Sequence, residues 1–189
     1  MNRATLLRLA PAERTEQLTD EGLVAACATE DRSARALLFE RHVDAVHRFV
    51  SRMQGCDADA IGDLVQATFV SAFQSAARFR GGHVRGWLYG IAANHVRSFA
   101  RREIRRKRAM RSVAELAGAT VAPGDPDLAR LPAAIAALPH DLRAALVLVD
   151  LEGEKGREAA AALGIPEGTL WRRIYCARQA LRSALGATP

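Results

Sequence analysis

Residues 157–185 read REAAAALGIPEGTLWRRIYCARQALRSAL, and their spacing decides the fold. Ala159, Ala160 and Leu163 make the inner face of a short helix, and Gly164 permits the tight turn of a helix-turn-helix. Ile165 plugs the inner side of that turn. Pro166 presets the start of a second helix, whose apolar stripe is Leu170, Ile174, Ala177 and Leu181. Steps of four, three and four belong to a helix with one buried side. The opposite face displays Trp171, Arg172, Tyr175, Arg178 and Gln179, with Arg173 at its edge and Thr169 at its start. Arginines read guanine edges or grip phosphates, and the first turns of such a helix enter the major groove. The bland alternative is a helical hairpin with a solvated basic face.

Upstream, helical pattern covers Ala133–Leu138 and Asp141–Leu151, with breaks at Leu138-Pro139 and Glu152-Gly153. Before that, from about Ser112 to Pro132, Gly118, Pro123, Gly124, Asp125, Pro126 and Pro132 interrupt any helix. This stretch reads as a linker. On its far side, Leu38, Ala45, Val46, Phe49, Val50 and Met53 recur at helical spacing. A second stripe is Ile61, Val65, Thr68, Phe69 and Ala72, and a third helix from about Arg85 buries Leu88, Ile91, Ala92 and Phe99. Thr19 or Asp20 caps a short first helix holding Leu23 and Cys27. No segment alternates as a strand does. The predicted fold is all-α: an N-terminal arm at 1–18, a helical domain at 19–111, a flexible linker at 112–132, and a second helical domain at 133–189.

The charge is local. Of the net +6 in 189 residues, the segment Arg97–Arg111 carries +7 through Arg97, Arg101, Arg102, Arg105, Arg106, Lys107, Arg108 and Arg111 against Glu103 alone. A concentrated patch of this kind suits a phosphate backbone, although a solvated basic helix end has the same composition. With 49% apolar residues the chain packs a core and is not disordered throughout. No apolar run exceeds the length of Ala144 to Val149, far short of the ~20 residues of a membrane span. Arg8, Glu13 and Glu16 break any secretory leader. Cys27, Cys56 and Cys176 are scattered, which indicates neither disulfides nor a cysteine-based metal site and places the chain in a reducing cytoplasm. No cofactor and no metal is expected.

The stretch from Ala137-Leu138-Pro139 through Leu142–Leu148, Leu151-Glu152-Gly153, Leu163–Leu170 and Ala177-Arg178 to Leu181-Arg182 resembles region 4 of bacterial sigma factors of the extracytoplasmic-function group. Asp63-Leu64-Val65-Gln66 with Thr68-Phe69 resembles the region 2.2 signature of the same group. Phe79-Arg80-Gly81, Trp87-Leu88-Tyr89, Ile91-Ala92 and Asn94, followed by arginines, resemble regions 2.3 and 2.4. Together these cover roughly residues 20–185.

The resemblance implies an alternative sigma factor that binds core RNA polymerase, recognises promoter −35 and −10 elements and promotes strand opening. Asp63, Leu64, Gln66 and Phe69 fall at positions that bind the polymerase β′ clamp, and the second domain meets the β flap. Arg80, Arg85, Trp87, Tyr89, Asn94, Arg97, Arg101 and Arg102 fall at −10 positions, where aromatic rings stack on opened bases. Thr169, Trp171, Arg172, Arg173, Tyr175 and Arg178 fall at −35 positions. An anti-sigma factor is a plausible further partner of such a chain, and no sensing domain is expected beyond region 4.

Several positions depart from the family pattern. Gly62 and Ala67 stand where acidic residues are usual, and the Phe79–Trp87 loop is one residue short. Glu154, Lys155, Gly156 and Ala159 replace an apolar, a small polar, an aromatic and a branched residue, while Trp171 and Arg172 replace Lys and Ser. Two rival readings are weighed. A homodimeric helix-turn-helix regulator has no use for the first domain's aromatic cluster beside a basic helix. An enzyme lacks its constellation, since His42 and His47 around Asp44 do not have HExxH spacing.

Overall fold

The structure, a computed structural model, describes residues 18–54, 58–111 and 126–186. Most of the expected arm, residues 112–125 of the expected linker, Cys56 and Asp57 lie outside the described residues. Among those described there are eight α-helices and no strand: α1 Asp20–Cys27, α2 Arg32–Gln54, α3 Ala58–Ser75, α4 Val84–Arg111, α5 Pro126–Ala137, α6 His140–Leu146, α7 Gly156–Leu163 and α8 Glu167–Leu185. A 3₁₀ turn, Ala76–Arg78, follows α3. The all-α expectation holds.

The first four helices pack around a core that their apolar stripes specify. Thr19 caps α1, its hydroxyl oxygen accepting from the Gly22 N–H at 3.2 Å. Leu38, Val46, Phe49, Val50 and Met53 run down one side of α2 and are fully buried, facing Leu64, Val65, Phe69 and Ala72 of α3 and Leu88, Ala92 and Val96 of α4. Thr68, polar in that stripe, returns its hydroxyl to the Leu64 carbonyl at 2.7 Å, so its burial leaves no orphaned group.

A helix begins earlier than the prolines suggest. Helix α5 runs through Pro132, where the sequence reading places the linker's end. Pro126 occupies the first helical position, where a missing N–H costs nothing. Pro132 is exposed, and burial of Ile135 and Leu138 against the core outweighs the one hydrogen bond it forfeits. After α6 the chain enters a wider turn, Val147–Leu151, closed by Glu152 N–H to the Val147 carbonyl at 2.9 Å. This widening carries Asp150, Glu152 and Glu154 toward neighbouring helices instead of back into solvent.

The two sets of helices share one continuous apolar cluster. Helix α7 lies on α4 at Gly90, where an added Cβ would sit 2.3 Å from the Ala162 carbonyl oxygen. Only glycine allows so close an approach of the two backbones.

Candidate nucleic-acid and polymerase interfaces

The helix-turn-helix forms as its glycine and proline dictate. Gly164 takes the left-handed conformation, φ 63° and ψ 36°, and Ile165 N–H reaches the Ala160 carbonyl at 3.0 Å, which closes α7. Pro166 is extended, and its carbonyl accepts from Leu170 N–H at 3.1 Å to open α8. Leu170, Ile174 and Ala177 are buried, and each of the two larger side chains contributes about 1.5–3 kcal/mol. Trp171, Arg172, Tyr175 and Arg178 therefore lie on the outer face and are exposed, while Thr169 and Arg173 are half-buried.

Trp171 explains two departures at once. Its indole lies against the start of α7, so close that a Cβ on Gly156 would meet the ring at 2.5 Å, and its Nε1 donates to Glu167 at 3.3 Å. The aromatic residue missing from position 156 is thus supplied from α8, and glycine makes room for it.

Four of the arginines read as DNA contacts are held by carboxylates of the second domain. Asp141 accepts from both Arg97 of α4 and Arg173 of α8. Although desolvation pushes the Asp141 carboxyl upward, the hydrogen bonds from Arg97 and His140 hold it below the usual carboxylate range. Asp150 takes Arg178 through two hydrogen bonds, at 2.7 and 3.0 Å. Glu154, buried at 3% exposure, accepts from Arg85 Nε at 2.7 Å. Arg80, Arg101 and Arg102 are exposed, as is Asn94.

Tyr89 differs from its sequence reading. In place of an exposed ring ready to stack, it is fully buried, its ring centroid 4.8 Å from that of Phe49 and its hydroxyl donating to Glu152 at 3.0 Å. Burial first, and then the Glu152 charge, raise its pKa far above the ordinary value. The tyrosine follows Leu88 in the core-facing stripe, and the second domain covers its polar end. Trp87 is half-buried and packs on Phe79 at 5.0 Å, at the edge of a cavity of about 700 Å³ that Arg80, His83 and Asn94 also line.

Elsewhere on the first domain, Asp63 and Gln66 are exposed on α3, whereas Leu64 and Phe69 are core residues at 4% and 2% exposure. Polar tips and buried apolar side chains alternate because the helix turns by 100° per residue. Beside them runs an apolar groove of about 380 Å³ lined by Phe39, Gly62, Val65, Gln66, Phe69 and Val70. Phe39 and Val70, which the sequence reading passes over, are exposed at 42% and 47%. Gly62, open on its outer side, leaves the groove unobstructed where the family pattern has a carboxylate.

Sigma-70 region 2 matches residues 38–106 and sigma-70 region 4 matches residues 128–181. The ECF RNA polymerase sigma-E factor of Escherichia coli is 32% identical over 182 residues, covering 88% of this chain and 94% of the relative. The chain belongs to the ECF sigma factors. The ECF sigma factor SigE of Mycolicibacterium smegmatis is 38% identical over 168 residues, 84% of this chain, and the chain spans 65% of that relative's length. Among solved structures, this sigma factor resembles CnrH in complex with the cytosolic domain of CnrY, with a TM-score of 0.65 and 28% identity over 90% of this chain and 99% of that one. The sigma factor RpoE of Bartonella quintana in complex with the anti-sigma factor NepR gives 0.64 and 25% identity over 82% and 98%. No helix among the described residues of the sigma factor is long and apolar enough to cross a membrane.

The acidic residues that join the two domains were missed in the sequence. One signal was present: Glu154 stands where the family carries an apolar residue, and an ion pair with Arg85 engages one of its two buried oxygens.

Proposed function

We propose that this sigma factor confers promoter specificity on core RNA polymerase, with its two domains dividing the work. The groove beside Asp63 and Gln66, lined by Phe69 and backed by the buried Leu64, takes the β′ clamp, and the second domain meets the β flap. Arg80, Arg85, Trp87, Tyr89, Asn94, Arg97, Arg101 and Arg102 engage the −10 element as it opens. Thr169, Trp171, Arg172, Arg173, Tyr175 and Arg178 engage the −35 duplex. Tyr89 reaches an opened strand only after its bond to Glu152 breaks, so parting of the domains belongs to promoter engagement. The polymerase performs RNA synthesis and the chain itself is no enzyme. It acts in the cytoplasm, where an anti-sigma factor binds it, as NepR binds the Bartonella quintana sigma factor RpoE.

The observation that carries this reading is the exposed aromatic and basic face of α8 in the same chain as the basic helix α4 and the apolar groove on α3. A duplex-reading domain alone needs neither of the latter. Run-off transcription with core polymerase on a fragmented genome tests it: discrete transcripts sharing −35 and −10 sequences are expected only when the chain is added. Binding to DNA without polymerase-dependent initiation would overturn it.

A further inference from the structure

A cluster at the junction of the two domains has a different chemistry from its surroundings. His83 lies on the loop just before α4, in the first domain. Glu154 precedes α7 and Glu158 lies in its first turn, in the second domain. One ligand atom from each of the three lies within 4.8 Å of the others. Glu154 Oε1 is accounted for by Arg85, but Oε2 is buried and receives no hydrogen bond. His83 Nδ1 stands 3.2 Å from that oxygen, yet not in the orientation of a hydrogen bond. An orphaned carboxylate oxygen in the interior is costly, and it calls for a partner.

We propose that His83, Glu154 and Glu158 form a divalent-cation site, suited to Zn²⁺, whose ion joins the first domain to the second. Zinc takes imidazole nitrogen and carboxylate oxygen at about 2.0–2.1 Å, so two ligands of one tetrahedral ion stand about 3.3 Å apart. The His83–Glu154 separation matches that edge, and the absent hydrogen-bond alignment is what two donors aimed at a common point would show. A nitrogen ligand beside carboxylates favours zinc over magnesium or calcium, which prefer oxygen alone. Arg85, bonded to the second oxygen, orients Glu154 as the outer partners of metal ligands do. His83 is 41% exposed at its side chain and borders the 700 Å³ cavity, which gives the ion a path in and leaves room for water as a fourth ligand. Sequence spacing gives no hint of this site, since some seventy residues separate His83 from Glu154.

Because its ligands come from both domains, the ion stabilises their contact, and anything that parts the domains weakens its binding by the same factor. The test is isothermal titration of zinc chloride into the untagged full chain after chelation. Saturable uptake of one ion per chain is expected. His83→Ala and Glu158→Gln each lower the affinity about tenfold or more while circular dichroism keeps its helical signal. Hydrogen exchange with and without zinc tests the bridge: amides of residues 83–90 and 156–163 become slower in the parent chain and not in His83→Ala. No saturable uptake, or equal uptake by a His83→Ala/Glu158→Ala double variant, would overturn the site, leaving His83 as a simple ion-pair partner of Glu154. Uptake without added protection at those amides would overturn the bridging.

Discussion

Replacing Gly90 by alanine tests the contact between the domains with one carbon atom. The new Cβ would stand 2.3 Å from the Ala162 carbonyl oxygen, whereas ordinary contacts begin at 3.4 Å. The shortfall is about 1.1 Å, and the obstacle is backbone within a helix, which cannot rotate aside. Helix α7 must therefore shift by about that much. A shift of this size stretches the Arg85–Glu154 and Tyr89–Glu152 bonds, now 2.7 and 3.0 Å, beyond useful length. Overpacking of this kind costs about 1–3 kcal/mol. Alanine in place of glycine within a helix returns up to about 1 kcal/mol, but it does so whether the domains touch or not. The balance between joined and parted domains consequently moves by a factor of about 5 to 150 toward parted.

Two measurements read this out. Small-angle scattering should give a larger radius of gyration for Gly90→Ala, and hydrogen exchange should be faster along Gly156–Leu163, with helix content unchanged. Gly86→Ala, on the same helix, is the control. Its Cβ would meet Glu158 and His83 atoms only at 3.8 and 3.5 Å, so it should leave both readouts alone. Identical scattering and exchange for Gly90→Ala and the parent would refute the reasoning.

Three further outcomes are expected. Asp63→Ala with Gln66→Ala should weaken capture of core polymerase without loss of helix content, because both side chains are exposed; undiminished co-purification would remove α3 from the polymerase interface. Arg172→Ala should relax preference at one or two −35 positions by about 1–3 kcal/mol, while Arg178→Ala, farther along α8, weakens all promoters alike; an unchanged −35 sequence logo for Arg172→Ala would end its base-reading role. Burial holds the His42 and His140 pKa values below the ordinary histidine range despite Asp20 and Asp141 beside them, with Arg41 and Arg85 near His42 and Arg97 and Arg143 near His140 adding to the shift. The folded chain thus disfavours the charged rings: their stability is fully present above about pH 6.5 and is lost as pH falls through the lowered folded values. The thermal midpoint should drop on acidification, and His42→Gln/His140→Gln should flatten that drop; an unaltered slope would show that other groups govern it.

The helices, the Gly164 turn and the stripe of α8 were legible because each is written in local spacing. Phe49, Leu88, Leu170 and Ile174 lie where periodicity puts them, and Trp171, Arg172, Tyr175 and Arg178 reach the outer face for the same reason. Pro132 misled because its cost is local while the packing of Ile135 that outweighs it is not. Tyr89 misled for a similar reason: one face of its helix meets the first core, and its hydroxyl end meets a domain more than sixty residues away. The pairing of Gly156 with Trp171 shows in sequence as two separate departures, and only the fold makes them one.

A chain of net charge +6 that concentrates arginine on two helices is attracted to any duplex, and non-specific contact of this sort reaches about 10⁻⁴–10⁻⁶ M at physiological salt. Here Asp141, Asp150 and Glu154 occupy Arg97, Arg173, Arg178 and Arg85 before any duplex arrives. With these four arginines as the DNA contacts proposed above, a duplex must displace those carboxylates to reach them, and their share of its affinity falls by the fraction of time they are released, while Arg80, Arg101 and Arg102 stay exposed throughout. The apolar groove on α3, in contrast, opens to solvent as it stands, with Phe39 and Val70 exposed along it. On the proposed function the two surfaces differ in readiness: the groove on α3 is open to a protein partner from the start, and the paired arginines join the hold on DNA once their carboxylates let go.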